Sequence, residues 1–535
     1  MNKKVSNHKG VIMNADVKTV KSLVARGETL KIEFKSDKAG LPDRGLIAAV
    51  ISLANTEGGD LLLGVEDDGA ITGLKHKHSD PTGLAALIAN RTIPSLSVRV
   101  EIVRIGACEV ARIQVPKSRQ LVATTEGLLQ RRRLLASGKP EAVPFYPHEF
   151  WQRQSSLGLA DPSANPLHPL TPDVFNPLER QRIRESIRRY GGDAPLISLE
   201  DSELDGALGL TVTVDGIRRP TLAGLLFLGR EDILRRHVPA HEVAFQVLEG
   251  TEVKVNEFFH KPLLQTFEEI EQRFSARIEE KEFQRGLFRV AVPNFDRRAF
   301  REAFVNALMH RDYTQIRAVY VRIDDSGLTI SNPGGFMEGI TLQNLLVTEP
   351  RARNLRLADI AKRIGLAERT GRGIDKIFEG LLRYGRPMPD YSRSDTSSVV
   401  LRISNAEADL NFLKFILCQE EKDSSHNPIP LDSLLVLSQL RQERRLTTKA
   451  LASLMQKPER ETRAALEKLT EAGLVEAHGT GRGRAYTLSK EMYAGAGQKT
   501  EYVRRTEFEP TPPEQMILNY LDKHGSIKTG DAAEL

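Results

Sequence analysis

The sequence predicts a multidomain chain of the α/β and α+β classes. Its 535 residues are too many for one hydrophobic core, so we expect three or four domains. Stretches of period-2 alternation are interleaved with stretches of helical periodicity, which is typical of mixed α/β domains. A stretch rich in Pro and Ser and a later polar stretch divide the chain. We expect domains over 1–150, 178–402 and 433–489, linkers over 151–177 and 403–432, and a tail over 490–535.

Composition excludes several classes of protein. The chain is 40% hydrophobic and 27% charged, which is ordinary for a globular protein. No apolar run approaches the ~20 residues that span a bilayer, and the N-terminus lacks the apolar core of a secretory signal. Cys108 and Cys418 are too few for a disulfide framework. We therefore expect a cytoplasmic protein without a membrane partner. The formal charge of +5 is small, so any nucleic-acid surface must come from local patches.

The first domain reads as strand, helix, strand and hairpin. "TLKIEFK" (29–35) alternates as a strand does, and "RGLIAAVISLAN" (44–55) has helical spacing. "GGDLLLGVEDDG" (58–69) is a short buried strand between turn residues, and residues 98–116 form a hairpin that turns at Gly106. The combination of "ETLKIEFKSD" with "ISLANTEGGDLLLGVEDDG" resembles the Schlafen AlbA_2 domain, over roughly Lys18 to Phe145.

This resemblance implies nucleic-acid binding, and some Schlafen proteins cleave RNA with three acidic residues. By position these are Glu28, Glu33 and Asp67, with Lys35 on the strand face of Glu33, where it could neutralise phosphate charge. The alternative is that these residues are an exposed strand pair and a turn. The run "QRRRLL" offers Arg131, Arg132 and Arg133 as phosphate contacts, or is simply a solvated charged face.

A second motif, "REAFVNALMHRDY" (301–313), places Glu302 and Asn306 one helical turn apart. An amide oxygen is a hard ligand that suits Mg²⁺, and a carboxylate can orient or deprotonate water. The following "HRD" is not a kinase catalytic loop, because position 317, five residues after Asp312, holds Arg rather than Asn.

Residues 317–335 then predict a hairpin that ends in "SNPGG", where a ligand can approach the backbone closely. Further on, "ERTGRGIDKIF" (368–378) places Gly371 and Gly373 before a helix whose N-terminus could hold phosphate. This order of motifs resembles the GHKL ATPase fold, in its divergent RecG-like branch, over about Phe295 to Tyr391.

That resemblance implies an α/β sandwich that binds ATP and Mg²⁺. It gives Glu302 the role of water-orienting base and Asn306 that of Mg²⁺ ligand. Asn332 takes the place of the usual adenine-binding Asp, and residues 351–357 would form a mobile lid. The remaining nucleotide contacts implied are Gly334, Gly335, Arg353, Gly371, Arg372 and Gly373.

Residues 434–489 have the pattern of a winged helix-turn-helix. Thr447 or Thr448 can cap one helix, Gly473 can end the next, and a two-stranded wing follows. In this fold the second helix of the pair enters the major groove of DNA. The expected nucleic-acid contacts are Lys457, Arg460, Thr462, Arg463 and Lys468 on that helix, with Arg482 and Arg484 on the wing. The tail resembles a second, incomplete helix-turn-helix.

Three hypotheses follow from this order of motifs. In the first, the chain is a bacterial transcriptional regulator that binds DNA or, less readily, RNA, and whose nucleotide state controls that binding. In the second, it is an ATP-gated, metal-dependent nuclease that acts in phage defence. In the third, it is a scaffold that assembles through an ATP-driven dimer switch. We expect a homo-oligomer in the first case as well.

Overall fold

The structure is a computed structural model with the mixed α/β, multidomain fold class that the sequence predicts. It describes residues 17–135, 138–158, 160–285, 288–367, 372–422, 427–443, 445–479, 483–489, 517–518, 520–522 and 525–527. The chain forms two compact units, Met1–Leu157 and Gly158–Leu535. Within the described residues, no helix is long and apolar enough to cross a membrane.

The first unit is built on a four-stranded sheet. Its strands lie in the order Ile32–Lys35, Gly59–Leu63, Cys108–Val115 and Arg99–Ile105, and only the first pair is parallel. One face packs against the helices Asp43–Ala54 and Pro81–Asn90. The other face, which carries Phe34 and Leu62, packs against the helical residues 17–26.

Short strand pairs complete this unit. Thr92–Ile93 pairs with Ala123–Thr124, and Gln130–Leu134 pairs with Pro140–Pro144. The helix Pro147–Ser156 follows. Asn55 anchors this region: its side chain donates to the carbonyls of Val122 and Gln130 and accepts from the amide of Val122, at 2.7 to 2.9 Å.

The second unit begins earlier than the sequence predicts. Much of the expected linker over 151–177 is folded, because Leu170, Val174 and Phe175 are buried in the core of this unit. Bridges from Pro166 to Thr221 and from Phe175 to Gly229 hold this stretch in place. The elements that follow are the helices Pro177–Tyr190, Asp201–Ala207, Leu222–Leu228 and Glu231–His237 and the hairpin Thr211–Val214 with Ile217–Pro220.

A five-stranded sheet forms the centre of the second unit. Its order is Glu252–Phe259, Val243–Glu249, Val319–Asp324, Gly327–Pro333 and Ser398–Ser404, with one parallel pair between the second and third strands. Four helices accompany it: Leu263–Ser275, Arg297–His310, Leu355–Arg363 and Gly373–Leu382. We call Arg297–His310 the motif helix and Gly373–Leu382 the glycine helix. A separate hairpin joins Glu280–Arg285 to Phe288–Pro293.

The expected linker over 403–432 is also partly folded. It contains the helix Leu410–Lys422, in which Phe412 and Ile416 are buried in the same core. These apolar residues pack against residues that are far away in the sequence, and the local sequence does not identify those partners.

The C-terminal module consists of the described elements between residues 431 and 488. Its order is helix Leu431–Gln442, strand Leu446–Thr447, helices Thr448–Met455 and Glu459–Glu471, and strands Val475–His478 and Ala485–Leu488. Thr447 caps the second helix by accepting a hydrogen bond from the amide of Ala450. Gln456 ends that helix with φ of 56°, a left-handed conformation that is uncommon outside Gly. The three short strands form one sheet.

Candidate functional site

The motif helix starts and ends on side-chain contacts. Asp296 caps its N-terminus by accepting from the amide of Ala299 at 2.8 Å. Phe300 and Phe304 anchor its apolar side, since Phe300 stacks on Phe274 with ring centroids 3.7 Å apart. Glu302 and Asn306 lie on the side that faces a cavity, and Glu302 is buried.

The glycine helix begins directly against this pair. A Cβ atom added at Gly373 would lie 2.7 Å from Glu302 Oε2 and 3.6 Å from Asn306 Nδ2. Only a residue without a side chain therefore fits here without moving the carboxylate. The N-terminal end of the glycine helix, a favourable place for an anion, adjoins both polar side chains of the motif helix.

The cavity between these elements has a volume of about 560 Å³. The predicted nucleotide contacts that line it are Glu302, Asn306, Asn332, Gly335, Arg353 and Gly373. Gly334 and the exposed Arg372 do not, and Gly371 lies outside the described residues. Two helices, one strand and two loop positions thus bring together residues that are up to 71 positions apart in the sequence, from Glu302 to Gly373.

Asn332 supplies the cavity with an unsatisfied polar group. It lies on the strand Gly327–Pro333 and is 4% exposed. Its Oδ1 atom is buried and has no hydrogen-bond partner among the described residues. A buried acceptor left unpaired costs roughly 1–3 kcal/mol, so this atom points to a ligand or water that donates to it.

The glycines of "SNPGG" serve the backbone. Gly334 has φ of 97° and packs against Asp312, where an added Cβ would lie 2.8 Å from Asp312 Cβ. Gly335 passes close to the carbonyls of Asp395 and Thr396. Gly334 is therefore a structural glycine and not a nucleotide contact, which corrects the expectation from the sequence.

Arg353 and Asn354 close the C-terminal end of the motif helix. Arg353 donates to the carbonyl of His310 at 3.2 Å and to that of Gly335 at 2.9 Å. Asn354 donates to the carbonyls of Met309 and Arg311 at 2.9 and 2.8 Å. These contacts satisfy carbonyls that a helix end leaves unpaired. In this arrangement the centre of the expected lid over 351–357 is buried, and the helix Leu355–Arg363 includes its last residues. That the segment moves stays a prediction.

His310 is the third polar residue on the cavity side of the motif helix, one turn beyond Asn306. Burial, together with the positive charges of Arg353 and Lys362, lowers its pKa to about 4. The imidazole is therefore neutral at pH 7. Arg351, Arg353 and Lys362 give this end of the cavity a positive lining, although Asp359 and Glu349 are also present.

A loop from the cavity reaches the C-terminal module. We call residues 336–350 the cavity loop, since eight of its members line the cavity: Phe336, Met337, Ile340, Leu345, Leu346, Thr348, Glu349 and Pro350. The amide of Leu346 donates to Gln456 Oε1 at 2.8 Å, and Gln456 Nε2 donates to the carbonyl of Leu342 at 2.8 Å. The turn between the second and third helices of the module is thus tied to the cavity loop.

Charged residues of the C-terminal module also lie close to charged residues of the cavity. Lys457 pairs with Asp432 at 2.5 Å, both within the C-terminal module. Asp375 lies in the first turn of the glycine helix and lines the cavity. Burial raises the pKa of Asp375; Arg372 and Lys457 oppose the rise, and Asp432 adds to it. The predicted DNA contact Lys457 therefore lies in the electrostatic field of a cavity residue.

The other predicted nucleic-acid contacts of the module differ in their solvent exposure. Arg460, Arg463 and Lys468 are exposed on the helix Glu459–Glu471. Thr462 is fully buried and its hydroxyl donates to the carbonyl of Pro458, so it cannot contact DNA; this corrects the expectation. Arg484 is half-buried and its guanidinium lies 5.5 Å from the ring centre of Tyr486. Arg482 lies outside the described residues.

The acidic triad expected in the first unit is not assembled. Among the described residues, no group of three His, Cys, Asp or Glu side chains could hold a metal ion. Glu28 accepts from the amide of Phe34 at 2.9 Å, Glu33 is buried, and Asp67 is exposed. Its neighbour Glu66 instead accepts from the hydroxyl of Ser36 at 2.8 Å.

Glu33 is neutralised by two cations. Lys35 Nζ lies 2.5 Å from its carboxylate, as the shared strand face predicts. Arg132 forms a short ion pair with it and also donates to the carbonyls of Thr29 and Ile32. Arg132 is 2% exposed and is therefore a structural residue rather than a phosphate contact.

The neighbours of Arg132 differ from it. Arg131 pairs with Glu149 and is partly exposed, and Arg133 is exposed beside Glu141. Of the basic run, these two remain candidates for nucleic acid.

Sequence reasoning missed several residues of the site. His310 continues the four-residue spacing from Glu302 through Asn306, and that spacing was a usable signal. Asn354, Asp375 and Gln456 had no comparable signal, since each acts through a partner far away in the sequence.

Three family models match successive parts of the chain. Schlafen AlbA_2 matches residues 28–142. DUF8451, a domain of unknown function, matches residues 152–244. HATPase_c_4, described as "ATP-dependent DNA helicase recG C-terminal", matches residues 317–403. The first and third matches confirm the domain composition predicted there. The third includes Asn332, Arg353 and Gly373 but begins after the motif helix.

The fold is also similar to that in the crystal structure of the DIP2311 protein from Corynebacterium diphtheriae. The TM-score is 0.53 at 22% sequence identity, over 90% of this chain and 98% of that chain. At this identity the similarity concerns the fold alone. No curated protein matches the chain significantly. The chain thus joins a region similar to Schlafen AlbA_2 and a region similar to HATPase_c_4 within a mixed α/β fold.

Proposed function

We propose that the chain is a nucleic-acid-binding transcriptional regulator whose affinity for DNA is controlled by ATP and Mg²⁺ in the cavity. The observation that carries this proposal is the pair of hydrogen bonds from Gln456 to the cavity loop. Loop residues Leu345 and Leu346 line the cavity, while Gln456 immediately precedes Lys457 and the third helix of the module. A ligand that moves the loop must therefore act on this turn.

The residues present fit a nucleotide and its metal ion. The cavity has an apolar part, an unsatisfied amide at Asn332 and cations at Arg351 and Lys362. Asn306 offers an oxygen to Mg²⁺, which usually takes only one or two protein ligands beside phosphate and water. Glu302, held against Gly373, is the group placed to accept a proton from water. A bound Mg²⁺–ATP would supply negative phosphate charge, which the cations at Arg351 and Lys362 complement.

We read the C-terminal module as a winged helix-turn-helix, because its order of helices and strands is the one such domains use. In this reading the helix Glu459–Glu471 faces the major groove and its exposed Arg460, Arg463 and Lys468 contact DNA. The AlbA_2-like unit would add affinity through Arg131 and Arg133. No observation favours a nuclease, because Arg132 and Lys35 neutralise Glu33.

The test is fluorescence anisotropy of labelled mixed-sequence duplex DNA, and separately of RNA, titrated with the full chain. We expect Mg²⁺–ATP to change the Kd for DNA by about 5- to 150-fold, the usual range of allosteric coupling. Asn306→Ala, which removes the Mg²⁺ ligand, should abolish this change. Arg236→Ala, an exposed arginine on the helix Glu231–His237, is the control and should preserve it. Identical isotherms with and without nucleotide would refute the proposal.

A further inference from the structure

The unsatisfied amide of Asn332 carries an inference about which base the cavity binds. The inference rests on the proposed function, because it assumes that a nucleotide occupies the cavity. Asn332 is 96% buried, lines the cavity, and has an Oδ1 atom without a partner. Among the described residues, no hydrogen bond uses either atom of its amide. The group is thus available to a ligand and is not held in one orientation by the protein.

The surroundings of Asn332 suit a flat heteroaromatic ring. In the sheet it is paired with Val399, and Ile330 and Leu401 lie on the same sheet face. All four residues line the cavity, together with the buried Tyr391. An apolar wall with a single polar group that needs a partner is a common way to fix the orientation of a ring.

Because the proposed function places a purine nucleotide in the cavity, we propose that Asn332 binds the 6-position edge of both 6-amino and 6-oxo purine nucleotides. The 6-amino edge presents a donor beside a ring-nitrogen acceptor, and the 6-oxo edge presents an acceptor beside an N–H donor. An amide carries one acceptor and up to two donors. Turning it by 180° exchanges the oxygen and the nitrogen, so one side chain matches both edges.

A carboxylate at this position would act differently. It only accepts hydrogen bonds when it is ionised, so an oxygen that faces the 6-position would pair with the 6-amino group and repel the 6-oxo group. It could accept from the neighbouring N–H of the 6-oxo edge only if the base shifted. Asn332 is therefore the residue that sets base selectivity, and the site is permissive because the side chain is an amide.

ATP and ITP form the matched pair of probes, since they differ only along this edge of the base. Their Kd values with Mg²⁺ would be measured by calorimetry on the full chain at pH 8. For the wild type we expect values within about fivefold of each other, because each nucleotide satisfies the amide. For Asn332→Asp we expect ATP to be preferred by roughly tenfold or more, since ITP would leave its carbonyl facing a carboxylate.

Two further measurements keep the test decisive. Asn332→Ala should weaken both nucleotides by a similar factor, and thermal unfolding should show that each variant is folded. A wild-type preference for one nucleotide of about 30-fold or more would overturn this inference while leaving the proposed function intact. An unchanged ratio in a folded Asn332→Asp variant would do the same. Failure of the wild type to bind either nucleotide would overturn the proposed function, and this inference with it.

Discussion

The role of a charged residue in this chain depends on its partners more than on its place in a motif. Arg132 stands in the middle of a run of three arginines, which suggests a surface for phosphate. In the structure its side chain is 1% exposed and pairs with Glu33, whose side chain is 9% exposed. The remaining hydrogen bonds of the side chain go to the carbonyl of Thr29, in the loop before the first strand, and to that of Ile32, the first residue of this strand. The middle arginine of the run therefore stabilises the first unit, whereas Arg133 on the same strand is 46% exposed.

Replacing Arg132 should destabilise the first unit strongly. Arg132→Met leaves the buried carboxylate of Glu33 with one cation instead of two. It also removes the side-chain donor to the carbonyls of Thr29 and Ile32, which keep only their backbone amide donors. Loss of one partner of a buried pair costs about 3–5 kcal/mol. Trp151, the only tryptophan of the chain, belongs to this unit, so urea unfolding followed by tryptophan fluorescence measures the effect.

Arg133→Met is the matched control, because it lies next to Arg132 on the same strand but is exposed. We expect it to change the unfolding free energy by less than about 0.5 kcal/mol. If both variants unfolded at the same urea concentration as the wild type, the buried ion pair would not have the structural role assigned to it.

The triplet His310-Arg311-Asp312 shows the same dependence on partners. Arg311 is 1% exposed and donates to the carbonyls of Ala240, Glu242 and Arg317. Asp312 accepts from the amide of Thr314 and the side chain of Gln315, both at 3.0 Å. These two residues fix the exit of the motif helix, and only His310 faces the cavity.

At the scale of elements, the stability of the sheet and its helices should depend on pH. His241 lies two residues before the start of the strand Val243–Glu249 and is 1% exposed; its Nε2 lies 2.7 Å from the carbonyl of Lys261. Burial, together with the positive charge of Arg311, lowers its pKa to about 4. The unfolded chain therefore binds this proton more readily than the folded chain. The stabilisation is complete above pH ~6.5 and is lost as the pH falls from there towards 4.

Calorimetric unfolding between pH 7.5 and 4.5 measures this effect. We expect the wild type to lose stability with falling pH, with up to about 3 kcal/mol attributable to His241. His241→Gln should show a shallower slope, by up to one proton per molecule. His237→Gln is the control, because His237 is exposed on the helix Glu231–His237. An unaltered slope in His241→Gln would mean that other groups cause the pH dependence.

Elements whose pattern is local could be predicted from the sequence. The hairpin Val319–Asp324 with Gly327–Pro333 alternates visibly and has its turn residues in place. The motif helix and the cap at Thr447 carry equally local signals. From the first two, the sequence also predicted that Glu302, Asn306 and Asn332 share a site, and the structure brings all three to one cavity.

Contacts between distant segments could not be predicted in this way. Residues 160–177 are rich in Pro, which indicates a linker, yet bridges to Thr221 and Gly229 hold them in the core. Gln456 is a second example of a contact that the sequence does not predict. The hydrogen bonds of its side-chain amide join it to residues 110 and 114 positions earlier in the chain. Periodicity and capping signals describe one segment at a time, so they do not identify its partners in distant parts of the chain.

At the scale of the whole molecule, the second unit places the cavity and the C-terminal module in one continuous core. Phe378 of the glycine helix and Leu434 of the module belong to the same cluster of buried residues. Such packing holds the glycine helix and the first helix of the module together, so a change at the cavity has few ways to act on the module. The hydrogen bonds between Gln456 and the cavity loop are a polar contact that can break without disrupting this core.

Cutting those two bonds should therefore uncouple DNA affinity from nucleotide. Gln456→Asn retains an amide and tolerates the left-handed backbone, but it is one methylene too short to reach Leu342 and Leu346. Gln456→Gly removes the side chain without strain at φ of 56°. For both, anisotropy titrations should give a ratio of Kd values with and without Mg²⁺–ATP close to 1. Gln439→Ala, which alters a partly exposed glutamine on the first helix of the module, should keep the wild-type ratio. Variants of Gln456 that bind ATP and still shift DNA affinity as the wild type does would show that the signal crosses the packed core instead.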